Sequence, residues 1–392
     1  MSDIVIAGAA RTPIGGFQGA LSSLPAPDLG AHAIKSALGD AGLGPEVVNE
    51  ALMGCVLPAG LGQAPARQAA LGAGLDFDVP CTTVNKVCGS GMKTAMLGMD
   101  QLRLGDADVV VAGGMESMSR APYLSEKMRA GARLGHAAMK DHMFLDGLED
   151  AYDKGRLMGS FAELCAEHYQ FTRDAQDEYA LASLSNALKA QEAGHFDREI
   201  AAMTLSTRKG DATVSADEQP QSARPDKIPT LKPAFKPDGT VTAANASSIS
   251  DGAAALVLAR TEALEAMGGA PRARILGHTT FAQKPEWFTT APINAARRLL
   301  DRVGWNVGDV DLWEVNEAFA VVAMAFMREL GLPRDIVNVN GGACALGHPI
   351  GASGTRIIVT LLNALETRGL KRGVAAICLG GGEATAVAIE RI

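Results

Sequence analysis

The sequence contains no apolar run that approaches the roughly 20 residues needed to cross a lipid bilayer. Its first residues, MSDIVIAGAARTP, lack the basic and long apolar regions of a signal peptide, and its last three are not the Ser-Lys-Leu peroxisomal address. The net charge of −8 lacks the basic surplus typical of proteins that bind nucleic acid, although a local basic patch for a phosphorylated ligand remains compatible with it. We therefore expect a cytoplasmic protein that binds neither membranes nor nucleic acid.

Cysteine pairs with the spacing of a redox or zinc motif are also missing. Because the sequence shows no export signal, we expect its cysteines to be free thiols in a reducing compartment, and we predict no metal site. The six cysteines are Cys55, Cys81, Cys88, Cys165, Cys344 and Cys378.

Glycine, by contrast, is abundant, with 44 residues, while aromatic residues make up 5% of the chain. This balance suits α/β layers joined by many turns, and a chain of 392 residues is long enough for two or three domains.

An internal repeat is the most informative feature of the sequence. Residues 88–91 (CGSG) open a helical pattern, which is followed by a strand-like run at 108–112. Residues 351–354 (GASG) open a second helical pattern, again followed by a strand-like run, at 374–379. Both runs end in glycine-rich stretches, and the tetrapeptide VNEA also occurs once upstream in each unit.

The repeat predicts two similar α/β halves, each with a mostly parallel sheet, because alternating strands and helices imply crossover connections. The alternative is that glycines, helices and strands of an ordinary α/β chain occur in this shared order by chance. We assign residues 1–119 and 249–270 to an N-terminal half, 120–248 to an inserted loop domain, and 271–392 to a C-terminal half. The methionine-rich segment 115–118 and the loop 125–139 are expected to form contact surface between subunits.

Cys88 lies where the strand-like stretch VNKV gives way to a helical pattern. The unpaired N–H groups and the dipole at a helix N-terminus favour an anion, so a thiol there is expected to form a better thiolate. Gly89 and Gly91 are expected to give a substrate room to approach the backbone. The alternative is a small, buried apolar residue. A nucleotide-binding loop is not indicated, because GSGMKT lacks the third glycine of a dinucleotide fingerprint and the spacing of a Walker loop.

A thiolate nucleophile needs a base, and His348, in GHPIG, directly precedes the helix that repeats the Cys88 helix. If a pseudo-twofold axis relates the halves, Cys88 and His348 face one crevice beyond the carboxyl ends of the strands. Cys378 ends a strand just before a run of three glycines, where a second thiol could act as an acid or base and the glycine amides could hold an oxyanion. Asn316 could hold a water molecule. Taken alone, His348 would be a capping histidine, Cys378 a core cysteine and Asn316 a turn residue.

Together, these stretches resemble the thiolase family, and the resemblance runs nearly from end to end. The matching stretches are 11–15 (RTPIG), 85–91 (NKVCGSG), 113–119 (GGMESMS), 316–319 (NEAF), 341–351 (GGACALGHPIG) and 378–382 (CLGGG).

The resemblance implies a duplicated, five-layered αβαβα fold with an inserted loop domain. It implies a reversible Claisen condensation of two acetyl-CoA to acetoacetyl-CoA and CoA, in fatty acid metabolism, with no cofactor besides the coenzyme A thioester substrates. It also implies a homotetramer that is a dimer of dimers.

The resemblance also implies a role for each site residue. Cys88, activated by His348, would become acetylated, and Cys378 would remove a proton from C2 of the second acetyl-CoA. The main-chain N–H groups of Cys88 and Gly380 would bind one oxyanion, while His348 and a water molecule on Asn316 would bind the other.

The sequence departs from the family pattern where CoA is expected to bind. Leu157 stands where many relatives have a histidine, Gln221 replaces an arginine so that Arg224 would serve the nucleotide phosphates, and FTTAP at 288–292 replaces Met-Gly-x-Gly-Pro. The CoA-binding residues that the resemblance implies are Leu148, Met158, Arg224, Ala243, Ser247, Ala318 and Phe319.

Three alternatives to an acetyl-CoA acetyltransferase can be stated. A degradative 3-ketoacyl-CoA thiolase would act on longer chains. A ketoacyl-ACP synthase shares the duplicated architecture but would use Cys-His-His or Cys-His-Asn, which the second thiol, Cys378, argues against. A non-catalytic CoA- or lipid-binding relative would normally have lost its nucleophile or base, and this chain keeps both.

Overall fold

A computed structural model describes residues 3–207 and 210–392 of the chain. Its strands are β1 Ile4–Arg11, β2 Gly15–Gly16, β3 Glu50–Gly54, β4 Cys81–Val84, β5 Val109–Ser117, β6 Tyr123–Leu124, β7 Lys140–Asp141, β8 Met203–Thr207, β9 Gly210–Val214, β10 Ser250–Arg260, β11 Ala273–Ala282, β12 Leu312–Val315, β13 Arg372–Leu379 and β14 Glu383–Arg391. Its α-helices are α1 Ala26–Ala41, α2 Pro65–Gly72, α3 Ser90–Leu104, α4 Met158–Tyr169, α5 Arg173–Glu192, α6 Glu218–Ser222, α7 Thr261–Ala266, α8 Ala291–Val303, α9 Ala320–Leu330, α10 Ala343–Leu346 and α11 Ser353–Arg368.

One large sheet runs through both halves of the molecule in the order β12-β13-β14-β11-β1-β10-β5-β3-β4, with β2 added on β10. Its two arms meet where β1 pairs with β11 through Val5 opposite Arg274 and Ile6 opposite Ala273. Counted outward from this junction, β1, β10, β5 and β3 correspond to β11, β14, β13 and β12. The duplication predicted from the sequence is therefore confirmed.

The prediction of a mostly parallel sheet is wrong. In the described residues, β3 is parallel to β4 and β5, and β12 is parallel to β13, but the other strand pairs are antiparallel. The cause in the second arm is the turn between β13 and β14, where Gly381 and Gly382 have φ of +88° and +85°. This turn makes a hairpin, and strands joined by a hairpin need no crossover helix. In the first arm, β10 likewise returns antiparallel to β5.

The helices and the two arms form five layers, αβαβα. Helices α3 and α11 lie between the arms, where Met96 and Leu361 join a core with side chains from both arms. Helices α1 and α2 cover the outer face of the first arm, and α8 and α9 cover the outer face of the second. Alternation along β13 matches this arrangement, since Ala375 and Ile377 face the central layer while Ala376 faces outward.

The segment between β5 and β10 lies outside the large sheet and carries α4, α5 and α6 with two small hairpins. The domain boundaries given above remain predictions. The expectation that residues 115–118 form contact surface is wrong for both methionines, because Met115 and Met118 are buried in cores of this same chain. Among the described residues, no helix is long and apolar enough to cross a membrane.

The N-terminal ends of α3 and α11 touch at glycines. A Cβ atom on Gly91 would lie 2.6 Å from Thr355 Oγ1 and 2.9 Å from its main-chain nitrogen, and a Cβ on Gly354 would collide with the backbone of Met92. A Cβ on Gly89 would lie 2.6 Å from Leu379 Cδ2. The expectation that Gly89 and Gly91 make room for a substrate is therefore wrong, because they allow close packing between the repeats.

We predict that Gly91→Ala lowers the free energy of unfolding by about 1–3 kcal/mol, because the added methyl group overpacks the contact between α3 and α11. Urea denaturation followed by circular dichroism measures this. The matched control is Gly39→Ala in α1, where an added Cβ meets no atom within 4 Å, so helix propensity should make it neutral or stabilising. Equal stability of the two variants would contradict the packing role.

Candidate active site

A cavity of about 350 Å³ opens where the two arms and the segment between β5 and β10 meet. Most of its wall is apolar, and it receives the predicted site residues except Asn316 and Arg224. Those that line it are Cys88, Leu148, Met158, Ala243, Ser247, Ala318, Phe319, His348, Cys378 and Gly380.

Cys88 is held by a strained turn just before α3. Val87 has φ of +45°, a left-handed conformation that is unfavourable for a β-branched residue. Hydrogen bonds impose it: the Val87 N–H donates to Asn85 Oδ1 at 2.9 Å, and Ser90 Oγ donates to Val87 O at 2.6 Å while accepting from Lys86 N at 2.8 Å. The turn thus fixes the position of the Cys88 sulfur at the cavity wall.

Burial raises the pKa of the Cys88 thiol to about 12, although the main-chain N–H groups of Gly380 and Cys88 itself act in the opposite direction. Burial thus acts against the thiolate that the helix N-terminus is expected to favour, and that expectation stays a prediction. The two N–H groups still point toward the sulfur, where an oxyanion formed on its acyl group would lie. Cys88 consequently needs a base to react.

His348 presents a neutral imidazole to the cavity. Its Nδ1 is 2.6 Å from Ser353 Oγ, and that hydroxyl also lies 3.0 Å from the carbonyl oxygen of Pro349. Since a carbonyl can only accept, the hydroxyl proton goes to Pro349, and we infer that Nδ1 carries the proton that it donates to Ser353. This tautomer leaves Nε2, which is buried and has no partner among the described residues, free to accept a proton.

The electrostatic surroundings keep this imidazole uncharged. Burial, with a smaller contribution from the positive charge of Arg356, lowers the pKa of His348 to about 3. Burial therefore favours the neutral imidazole, and its free Nε2 is the atom that can accept a proton.

Cys378 supplies a second thiol at the end of β13. Burial raises its pKa well above the ordinary value for cysteine, and a negative charge on Cys88 raises it further. The two sulfurs are therefore close enough to interact, and the site resists holding two thiolates at once. Gly380 lies two residues after Cys378. The nearest atom to a Cβ added there would be Val87 Cγ1 at 3.5 Å, an ordinary contact distance, so there is open space for a substrate beside this glycine.

Two predicted residues lie outside the cavity wall. Asn316 is fully buried beyond the end of β12, and neither its Oδ1 nor its Nδ2 has a partner among the described residues, an arrangement that suits a bound water molecule. Arg224 lies in a neighbouring cavity of about 290 Å³ with Lys227. Ala243 and Ser248 line both cavities, so the two cavities adjoin each other and form one path.

Sequence reasoning missed three residues that support the site. The repeat could have revealed Ser353, because it matches Ser90, and both hydroxyls bond back to the loop before their helix. Glu116 is fully buried, accepts from the N–H groups of Val56 and Leu57, and has a pKa raised to about 7 by burial. Lys227 carries no local sequence signal.

Comparison with known proteins agrees with this geometry. Residues 4–262 match the thiolase N-terminal domain, and residues 269–391 match the thiolase C-terminal domain. The chain is a member of the thiolase family. The family resemblance inferred from the sequence is thus confirmed.

Individual thiolases resemble the chain over its full length. It is 52% identical to acetyl-CoA acetyltransferase 2 of Arabidopsis thaliana, covering 99% of this chain and 97% of the relative. It is 48% identical to the acetyl-CoA acetyltransferase of Cupriavidus necator over the whole of both chains. The crystal structure of the Bacillus anthracis acetyl-CoA acetyltransferase superimposes with a TM-score of 0.97 at 41% identity, covering 100% and 99% of the two chains. The thiolase fold is therefore confirmed, while the roles of the individual site residues remain predictions.

We predict that Ser353→Ala lowers kcat about 10- to 100-fold, because the imidazole of His348 loses the partner that fixes its tautomer and orientation. Steady-state kinetics measure the effect. The matched control is Thr367→Ala, which removes a comparable hydroxyl bond to Asn363 O on the same helix, far from the cavity. A Ser353→Ala enzyme as active as the control would show that the hydroxyl does not position His348.

Proposed function

We propose that this thiolase is an acetyl-CoA C-acetyltransferase that joins two acetyl-CoA molecules reversibly into acetoacetyl-CoA and CoA. One observation carries the proposal: two thiols and a neutral imidazole line a single apolar cavity. A Claisen condensation needs a nucleophile to hold one acyl group and a separate base to ionise the other. The names of the relatives from Arabidopsis and Cupriavidus support the same reaction.

In the first half-reaction, Cys88 Sγ attacks the thioester carbon of acetyl-CoA while its proton passes to His348 Nε2. The tetrahedral intermediate collapses, the bond from carbon to the CoA sulfur breaks, and the leaving thiolate takes the proton of Cys378. Cys378 can supply this proton because its raised pKa keeps it a neutral thiol at the start. The products are acetyl-Cys88, free CoA, an imidazolium and a Cys378 thiolate, so the charge of the site does not change.

In the second half-reaction, the Cys378 thiolate removes a proton from C2 of a second acetyl-CoA. The resulting carbanion attacks the carbonyl carbon of acetyl-Cys88, and the bond from that carbon to Sγ breaks to give acetoacetyl-CoA. Cys88 leaves as a thiolate and recovers its proton from His348. Each group ends in its starting protonation state, because the proton that Cys378 gave to CoA is replaced by the one it takes from C2, and the reverse sequence cleaves a 3-ketoacyl-CoA.

Each half-reaction develops negative charge on a different oxygen, and the site offers donors for both. The N–H groups of Cys88 and Gly380, which point toward the Cys88 sulfur, would bind the oxyanion on the Cys88 acyl group. His348, once protonated, and a water molecule on the unpaired amide of Asn316 would bind the enolate oxygen of the second thioester.

The path out of the cavity suits coenzyme A. Ser247, Ala318 and Phe319 would contact the pantetheine arm, with Leu148, Met158 and Ala243 along the same wall. Arg224 and Lys227, in the neighbouring cavity, would attract the phosphates of the nucleotide. We propose no further cofactor.

A degradative thiolase acting on longer 3-ketoacyl-CoA chains is the second candidate. The observation that favours it is the apolar side chains of Leu157, Phe235 and Phe288 in the cavity wall, which suit a longer acyl chain. Thiolysis rates for 3-ketoacyl-CoA substrates of increasing length separate the two. Rates that increase beyond four carbons would favour the degradative enzyme.

We also propose a homotetramer in the cytoplasm, acting in fatty acid metabolism. The loop 125–139 and its surroundings expose large apolar side chains at Tyr123, Met128, Leu134 and Met139, a pattern that marks a protein contact. The six cysteines are all unpaired in the structure, which suits a reducing compartment. Sedimentation equilibrium measures the subunit number.

We predict that mixing the protein with acetyl-CoA releases CoA and adds one acetyl group to the Cys88 peptide, as read by mass spectrometry. Cys378→Ala should still form this adduct at a reduced rate, since another proton donor must replace the thiol, but should make no acetoacetyl-CoA. Cys81→Ala, at a thiol outside the cavity, is the matched control and should retain both steps. Absence of the Cys88 adduct from the wild-type protein would refute the proposed activity.

A further inference from the structure

Two turns, one from each half of the molecule, meet at the cavity wall beside Cys88. The first turn, residues 85–88, ends at Cys88, and the second, residues 380–382, joins β13 to β14. Each turn carries one of the main-chain N–H groups that the proposed mechanism directs at the oxyanion of the Cys88 acyl group, those of Cys88 and Gly380. Two donors on separate segments can bind one oxygen only if the segments keep a fixed separation.

The second turn consists of glycines, so side-chain packing does little to fix it. A Cβ added to Gly380 would lie 3.5 Å from Val87 Cγ1, and one added to Gly381, which has φ of +88°, would meet no described atom within 4 Å. Gly382, by contrast, accepts a hydrogen bond from Gln283 N at 2.9 Å. The part of the turn that carries the oxyanion donor is therefore its less restrained part.

An ion pair between side chains joins the two turns. Lys86 Nζ lies 2.5 Å from Glu383 Oε2, and the two side chains are 21% and 33% exposed. Lys86 lies two residues before Cys88, and Glu383 is the first residue of β14, opposite Leu379 in the hairpin. The pair thus connects segments that are 297 residues apart in the sequence, one on each side of the oxyanion donors.

The backbone of Lys86 also belongs to the hydrogen bonds that hold the Cys88 turn. Its N–H donates to Ser90 Oγ at 2.8 Å, and its carbonyl oxygen accepts from Gly89 N at 3.0 Å. On the other side, the pairing of Glu383 with Leu379 closes the hairpin around Gly380. A bond between the two side chains therefore acts within three residues of each N–H donor.

The ion pair lies outside the cavity that holds the two thiols. Lys86 and Glu383 line an adjoining cavity of about 440 Å³, which shares Gly380 with the active-site cavity. Three other carboxylates line this adjoining cavity, and each accepts a hydrogen bond within its own loop: Asp146 from His142 at 2.7 Å, Glu149 from Gly155 N at 2.6 Å and Asp150 from Asp153 N at 2.6 Å. Lys86, the one cationic side chain that lines it, pairs with Glu383.

We propose that Lys86 and Glu383 are positioning residues for the oxyanion site. Their ion pair holds the Cys88 turn and the Gly380 turn at the separation at which both N–H groups reach one oxygen. Neither side chain lines the active-site cavity, so we assign them no contact with substrate. The catalytic consequence rests on the proposed function, whereas the restraint on the Gly380 turn does not.

The pair can have this effect without contributing much to stability. Partly exposed ion pairs add little to the free energy of unfolding. Catalysis is more sensitive to geometry, because removing one oxyanion donor lowers kcat about 100- to 1000-fold. A donor that is displaced and not removed should have a smaller effect, and we expect kcat to fall about 5- to 30-fold when the pair is broken.

The first test is a double-mutant cycle on steady-state kinetics with Lys86→Met, Glu383→Leu and the two combined. Each single variant should lose about 5- to 30-fold in kcat, with KM for acetyl-CoA within about twofold of the wild type. The combined variant should lose no more than either single one, because the same interaction is already broken. Lys86→Arg, which keeps the charge, should retain most of the activity.

Arg274→Met is the matched control, because it removes a partly exposed ion pair to Glu390 on the same strand as Glu383, at 3.0 Å. Its kcat should equal that of the wild type. The proposal would be overturned by single variants as active as the wild type, by losses that multiply in the combined variant, or by an equal loss in Arg274→Met.

Hydrogen exchange of the peptide that contains residues 380–382, followed by mass spectrometry, tests the restraint without reference to activity. Exchange should be faster in Lys86→Met and in Glu383→Leu than in the wild type, and unchanged in Arg274→Met. Potassium chloride at about 1 M should accelerate it in the wild type but not in the combined variant, because salt screens a partly exposed pair.

Unchanged exchange in both single variants would refute the restraint. Failure of the wild type to acetylate Cys88 would instead refute the acetyltransferase activity, and the exchange measurement would then decide on the ion pair alone.

Discussion

The contact between the N-terminal ends of α3 and α11 is the constraint on which the rest of the structure depends. Gly91 and Gly354 let the two backbones approach, and Thr355 Oγ1 joins them by donating to Gly91 O at 2.8 Å. Cys88 lies two residues before α3, and His348 lies five residues before α11, so this contact brings nucleophile and base to one cavity. The duplication therefore brings the site residues together, because the two equivalent helix ends can meet only where the halves face each other.

Burial then determines the chemistry of that cavity. An apolar wall that suits an acyl group also disfavours charge, so burial favours the neutral forms of both thiols and the imidazole. Reaction proceeds by moving protons among groups already in place, with oriented N–H donors stabilising the transient charges. Glu116 and Glu314 follow the same rule, since burial raises the pKa of each.

The repeat predicted the duplicated α/β halves, and the resemblance to the thiolases supplied the five layers and most of the candidate site residues. The shared order of glycines, helix and strand placed Cys88, His348 and Cys378 at equivalent ends of their elements, without knowledge of packing. What the sequence did not predict depends on three-dimensional contacts: whether a glycine such as Gly91 faces a ligand or a helix, whether the side chain of Met115 is buried by other parts of the chain, and how strongly burial acts on the Cys88 thiol. The direction of β14 depended on the conformation of Gly381 and Gly382, which composition alone leaves open.

The central claim is that Cys88 rests as a neutral thiol, and the pH dependence of its alkylation by iodoacetamide tests it most directly. The rate, followed on the Cys88 peptide by mass spectrometry, should increase about tenfold per pH unit up to about pH 10 without a plateau, because the reactive thiolate remains a minor species below its pKa. A plateau at neutral pH would reveal a thiolate already stabilised in the resting protein and would contradict the account.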